Sequence, residues 1–175
     1  MSKIDDIYDA VDDYGLITSA EAAALGMSNA EMVQQAAAGK LVRVGRGVYR
    51  MPVWPFQKEA PYAIAVKSAG DGAFLYGESV VALLELAPTD PTKMWIAVPK
   101  RTRRNLGNGT RLVQTRDFTS VLLNGIPCQP IAEAIISAVS TMGWKRAVQA
   151  AKEALRQGLI SEADKAMITK SCEGQ

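Results

Sequence analysis

Two helix-capping signatures stand ten residues apart, and a basic hairpin punctuated by glycine follows them. Thr18-Ser19-Ala20-Glu21 and Ser28-Asn29-Ala30-Glu31 each place a hydroxyl three residues before a carboxylate. In such a capping box the hydroxyl accepts from a backbone N–H of the first turn, and the carboxylate reaches back to the cap residue's own N–H. The pattern predicts a short helix over residues 20–25, closed by Gly26, and a second over about 29–38, closed by Gly39. Glycine suits both ends because it takes positive φ without a Cβ penalty. Two capped helices this close make a helix-turn-helix.

Leu41-Val42-Arg43-Val44 and Val48-Tyr49-Arg50 then read as strands around Gly45-Arg46-Gly47. A β-rich pair around a glycine turn is a hairpin. Its arginines make it the wing of a winged helix-turn-helix. A helix so placed can enter a major groove while Arg43, Arg46 and Arg50 meet phosphates. A winged fold that serves only to dock proteins is the blander alternative.

Before this motif, residues 2–14 read as a helix, with Ile4, Ile7, Tyr8 and Val11 on one stripe. Asp5, Asp6, Asp9, Asp12 and Asp13 are then expected on its solvated side. On the second helix of the motif, Met32, Val33 and Ala36 are expected inward. Glu31, Gln34, Gln35 and Ala38 are expected outward, with Asn29 at the entry. Asparagine and glutamine can bond an adenine edge in a bidentate manner, although exposed helix faces are polar for solubility as well. No arginine or lysine lies on this helix, which argues against strong guanine reading.

Met51-Pro52-Val53-Trp54-Pro55-Phe56 ends the module. Its two prolines interrupt helix and ladder alike, and Trp54 and Phe56 are expected to pack the segment down. A boundary near residue 54 gives a winged domain over 1–53 and a mixed α/β domain with a helical tail over 54–175, an α+β chain overall. The second part predicts helices over 60–69 and 77–86 and strands over 74–76, 94–98, 111–114, 118–123 and 126–129. Asn124-Gly125 is the strongest hairpin signal in the chain. The tail helices carry two stripes, Ile131/Ile135/Ala138/Val139/Met142 and Trp144/Val148/Ala151/Leu155. Ser161-Glu162-Ala163-Asp164 opens a last short helix.

Composition removes several chemistries. Among 175 residues there is no histidine, which excludes Ser-His and Cys-His catalysis and His-ligated metals. Two distant cysteines, Cys128 and Cys172, fit a reducing compartment better than a disulfide scaffold. Gly70-Asp71-Gly72 is a turn, since no phosphate-loop pattern follows. Glu78 and Ser79 are expected in local hydrogen bonds, and Asp117 and Glu133 are isolated carboxylates. No catalytic constellation emerges, so the chain is expected to be no enzyme and to need no cofactor or metal. The acidic, amphipathic start is unlike a signal peptide, and no apolar run reaches membrane-span length. A cytoplasmic location with no membrane partner is expected.

The net charge of +2 says little, but its distribution is uneven. Residues 40–50 hold four bases and no acid, and residues 93–116 hold seven bases and no acid. Lys100, Arg101, Arg103 and Arg104 precede a glycine-rich loop, and Arg111 and Arg116 follow it. If that loop is a hairpin or short crossover, the six gather on one surface, able to bind DNA phosphates or an acidic protein partner. RNA is a further alternative for that surface.

The segments GKLVRVGRGVYR, AFLYGESVVALLEL and MWIAVPKRTRR together resemble those of AbiEi-type antitoxins, the antitoxin halves of abortive-infection toxin–antitoxin operons. The likeness runs from Gly15 to about Arg104, more loosely beyond. It implies a two-domain, non-enzymatic antitoxin. The winged domain would repress its own operon by binding inverted repeats in its promoter. The second domain would support neutralisation of a nucleotidyltransferase-like toxin. Carried onto this chain, it implies DNA contacts at Ser28, Asn29, Gln34, Gln35 and Arg46. The lack of a basic residue on the helix departs from what strong base reading needs.

Overall fold

The computed structural model describes residues 2–116 and 119–174. Two compact units are present, Met1–Asp71 and Gly72–Gln175. Among the described residues there are eight helices and two sheets, a mixed α and β architecture.

The first unit runs α1 (Lys3–Ala10), β1 (Leu16–Thr18), α2 (Ser19–Ala24), α3 (Asn29–Ala37), β2 (Val42–Gly45), β3 (Val48–Arg50) and α4 (Ala60–Ala69). Its sheet has the order β1-β3-β2, with both pairings antiparallel. This is the element order of a winged helix. Ile7, Ile17, Ala22, Met27, Met32, Leu41 and Tyr49 form the core, with Ile4, Tyr8, Val11 and Ala36 packed against it. The apolar stripe of α1 thus faces inward, as its spacing predicts.

Helix α1 is shorter than the periodicity suggests, because Val11 is extended. Asp12 explains the stop. Its Oδ1 accepts from the backbone N–H groups of Tyr14 at 2.8 Å and Leu16 at 3.0 Å. Aspartate offers the backbone a local alternative to the helix ladder, so Asp12 is a structural bracket and not part of a solvated face.

The segment after the wing differs from expectation in part. Trp54 does pack down: its ring lies over Gly15, and its Nε1–H donates to the Asp13 carbonyl at 3.3 Å. Gly15 has φ +71° and no room for a Cβ beneath the indole. Phe56 does not pack. It is 92% exposed, and Val53 is 88% exposed.

Helix α4, expected in the second domain, belongs to the first unit. It packs on β2 and β3. At Gly45 a Cβ would collide with Ser68 Oγ and stand 3.2 Å from Ile64 Cγ2. The wing needs a glycine there for close approach of α4.

The second unit holds β4 (Phe74–Leu75), α5 (Glu78–Leu83), β5 (Met94–Val98), β6 (Thr110–Gln114), β7 (Val121–Leu123), β8 (Ile126–Cys128), α6 (Ile131–Met142), α7 (Trp144–Arg156) and α8 (Glu162–Cys172). Strand order is β6-β5-β4-β8-β7. Pairs β5/β6 and β4/β8 are parallel, and β4/β5 and β7/β8 antiparallel. The strand predicted over 118–123 is observed as β7; Phe118 and Asp117 lie outside the described residues. Asn124 and Gly125 both have positive φ, 51° and 76°, as a two-residue hairpin turn requires.

Helices α5 to α8 share a core that includes Val81, Leu86, Ile135, Ala138 and Ile168. The predicted stripe of α6 holds. That of α7 holds in part: Ala151 is buried with Ala147, Ala150 and Ala154, and Val148 and Leu155 pack against the same core, while Trp144 is 46% exposed with Lys145 Nζ 5.6 Å from its ring centroid. Alanines let α7 approach its neighbours closely, which turns the larger side chains to the flanks. Glu78 and Ser79 are buried and structural, Glu78 Oε1 accepting from Asp90 N–H and Ser79 Oγ from Trp95 N–H. No helix among the described residues is long and apolar enough to cross a membrane.

Candidate nucleic-acid interface

Both predicted capping boxes form. Thr18 Oγ1 accepts from Glu21 N–H at 3.1 Å, and Glu21 Oε2 accepts from Thr18 N–H at 3.0 Å. The Ser28–Glu31 pair repeats this at 3.2 and 3.0 Å. Ser28 is therefore spent on the cap of α3.

Ser19 links the parts of the motif. Its N–H donates to the Gly47 carbonyl at 2.9 Å, and its hydroxyl donates to Asn29 Oδ1 at 3.3 Å. One residue thus brings together the wing turn and the first residues of α2 and α3. Arg46, at the tip between Gly45 and Gly47, is exposed beside that junction. Nothing in the sequence singles out Ser19, because its two partners, Gly47 and Asn29, lie in other elements.

The three wing arginines do not share one face. Arg43 is paired with Tyr49, and Arg50 with Val42 and Leu16. Successive residues of a strand point to opposite sides, so Arg43 and Arg50 lie on opposite faces of the sheet. Arg43 is exposed. Arg50 is half-buried, and its Nε–H donates to the Met51 carbonyl at 3.4 Å. The structure keeps Arg43 and Arg46 as free-standing cations of the wing and ties Arg50 into the sheet.

On α3 the polar candidates separate too. Gln34 is exposed. Gln35 is half-buried, with its Oε1 buried and without a hydrogen-bond partner. Val33, expected inward, is 51% exposed. The reason is angular: Met32 marks the centre of the buried side, and each residue advances about 100°, which carries Val33 out of the core. Ala30, Val33, Gln34 and Ala37 make up the exposed face.

The acids of the motif are countered by lysines from outside it. Lys3 Nζ is 2.9 Å from Glu31 Oε1. Lys67 Nζ is 3.4 Å from Glu21 Oε1 and 3.4 Å from Asp12 Oδ2. The Lys3 ammonium, with the Ser28 N–H after it, holds the Glu31 carboxyl below the usual carboxylate range. Both capping carboxylates thus have a cation at their side.

Residues 5–52 match the AbiEi antitoxin family of transcriptional regulators. The AbiEi match begins in α1 and ends just after the wing, so it covers the capping boxes, the Ser19 junction and both free wing arginines. No curated protein matches the chain.

In the second unit Lys100, Arg101, Arg103 and Arg104 lie on the connection before edge strand β6, Arg111 lies on β6, and Arg116 follows it. Because β5 and β6 are parallel, residues 99–109 form a crossover and not a hairpin. Thr115 N–H donates to the Val98 carbonyl at 3.1 Å, so Lys100, Arg101 and Arg116 stand at the same end of the sheet. Arg111 lies near the opposite end, beside Trp95 in register, with its guanidinium on the Asn108 carbonyl. Arg103 and Arg104 sit on the crossover between. All six are exposed, strung along an edge and not gathered into one cluster.

Proposed function

We propose that this chain is an antitoxin that represses transcription of its own operon. Its winged unit would bind inverted repeats in the promoter, and its second unit would support neutralisation of a nucleotidyltransferase-like toxin. The match of residues 5–52 to a family of antitoxin regulators supports the regulator half. The single structural observation that carries it is the Ser19 junction, which holds the cationic wing turn against the start of an exposed helix. A helix flanked by a basic wing presents both elements that duplex DNA accepts, a cylinder for the groove and donors for phosphates.

Within this reading, Arg43 and Arg46 serve phosphates and α3 faces base edges. Asn29, oriented by Ser19, stands where the helix meets the backbone. The basic edge along β6 is the surface for the toxin or for flanking DNA. Glu78 and Ser79, both buried, are committed to backbone groups, in keeping with a regulator rather than an enzyme.

The test is binding of the full chain to its own upstream DNA, measured by anisotropy across a salt series. Expected is saturable binding that falls linearly in log–log form with salt and exceeds that for a shuffled duplex. Equal binding to both duplexes would overturn the repressor reading. If a nucleotidyltransferase-like gene stands beside this one, co-expression of the two tests the antitoxin half, growth rescue being the expected outcome and unrelieved toxicity the one that overturns it.

A further inference from the structure

We propose that α3 reads A·T base pairs, with Val33 contacting the C5-methyl of thymine and Gln34 bonding the N6/N7 edge of adenine. This rests on the DNA-binding reading above and adds the base preference of that site.

Four neutral polar residues at the start and along α3 could in principle address bases, and the fold engages the oxygen of two and buries that of a third. Ser28 Oγ is occupied as the cap, accepting from Glu31 N–H at 3.2 Å. Asn29 Oδ1 accepts from Ser19 at 3.3 Å, which directs that amide to the wing junction. Gln35 turns its Oε1 into the protein. Gln34 alone remains exposed and uncommitted. A glutamine offers one donor and one acceptor at the spacing of adenine N7 and N6.

Beside it stands Val33, 51% exposed on the outward side of a helix whose core is already filled by Met32. A branched apolar side chain left in water has no function in packing. Thymine is the one base that presents an apolar group in the major groove. The occupant is identified by charge as well. Residues 40–50 hold four bases and no acid, and Glu31 and Glu21 carry Lys3 and Lys67 at 2.9 and 3.4 Å. An apolar protein ridge would gain nothing from that arrangement, whereas DNA needs it. Guanine is disfavoured, because its O6/N7 edge calls for arginine or lysine, and α3 has neither.

The test uses the full chain and a pool of randomised duplexes. Selected duplexes are remade with deoxyuridine in place of thymidine, which removes only the methyl. Expected is enrichment of A·T pairs, and a loss of roughly three- to five-fold per contacted thymine on the uridine duplex, the worth of one buried methyl. The Val33→Ala variant should bind the two duplexes equally, and Gln34→Ala should lose the preference for adenine. Val33 is exposed, so neither change endangers the fold; a circular dichroism melt checks this. Selection of A·T-free sites, or equal binding of wild-type protein to thymidine and uridine duplexes, overturns the inference while DNA binding stands. Binding to no duplex at all overturns the proposed function and this inference together.

Discussion

Lys3 of the first helix and Glu31 of the third, twenty-eight positions apart in the chain, are joined at 2.9 Å. The contact pins α1 across the start of α3 and lies on the same carboxylate that caps that helix. One side chain therefore closes a cap and receives an ion pair, and both interactions favour its charged form.

The Glu31 carboxyl should accordingly titrate below its ordinary value of 4.5. A group whose pKa is lowered by folding adds stability above the unfolded value and loses it as pH falls through the folded one. Acidification from about pH 4.5 downward should loosen this contact. In Lys3→Met the Glu31 pKa should rise but remain depressed, since the Ser28 N–H is retained. A carbon-detected NMR titration of Glu31 reads both; an unchanged pKa in the variant would show that the ion pair is not formed in solution.

Gly45→Ala should destabilise the first unit by about 1–3 kcal/mol, the range for forcing a methyl into filled space. The obstacle is Ser68 Oγ. Ser68→Ala removes that atom, so the double variant should regain much of the loss. Urea denaturation of the four proteins gives the coupling; strict additivity would mean that α4 does not rest on the wing.

Arg46→Ala should weaken DNA binding and lower the slope of log affinity against log salt by about 0.9, one phosphate contact. Arg50→Ala should leave the slope unchanged, because that guanidinium is turned to the other face of the sheet and bonded to Met51. Equal effects of the two changes would refute the separation of the wing arginines.

Cys128 is fully buried, and burial pushes its thiol from 9.0 up to about 12. In folded protein at pH 8 it should resist a thiol reagent and react only when denaturant opens the second unit. Because the pKa is raised by folding, stability is intact below pH 9 and declines between about pH 9 and 12. Mass spectrometry of labelled peptides locates the modified cysteine; rapid labelling of Cys128 in native protein contradicts the buried site.

Local chemistry made much of this fold legible. Capping boxes at Thr18, Ser28 and Ser161, the Asn124-Gly125 turn and the stripe of α1 all depend on contacts within a few residues, and each is found in the structure. Expectation and structure part where a side chain's fate depends on distant partners. Phe56 looked like a core residue by type, but no surface of its unit receives it. On α7 the stripe holds at Val148, Ala151 and Leu155, but Trp144 stays outside because close helix packing favours the alanines. Helix α4 follows a proline-marked boundary, yet the missing Cβ of Gly45 seats it on the wing.

The candidate interface divides in the same way. Chain order alone determined that two capped helices precede a basic glycine hairpin, because caps and turns are written in residues a few positions apart. Only the tertiary structure decided which polar and cationic groups remain available. Strand register sends Arg43 and Arg50 to opposite faces, the Ser19 junction occupies Asn29, and the angle of α3 about Met32 exposes Val33 and withdraws Gln35. Such outcomes are set by packing between elements remote in sequence, and that information exists only once the chain has closed on itself.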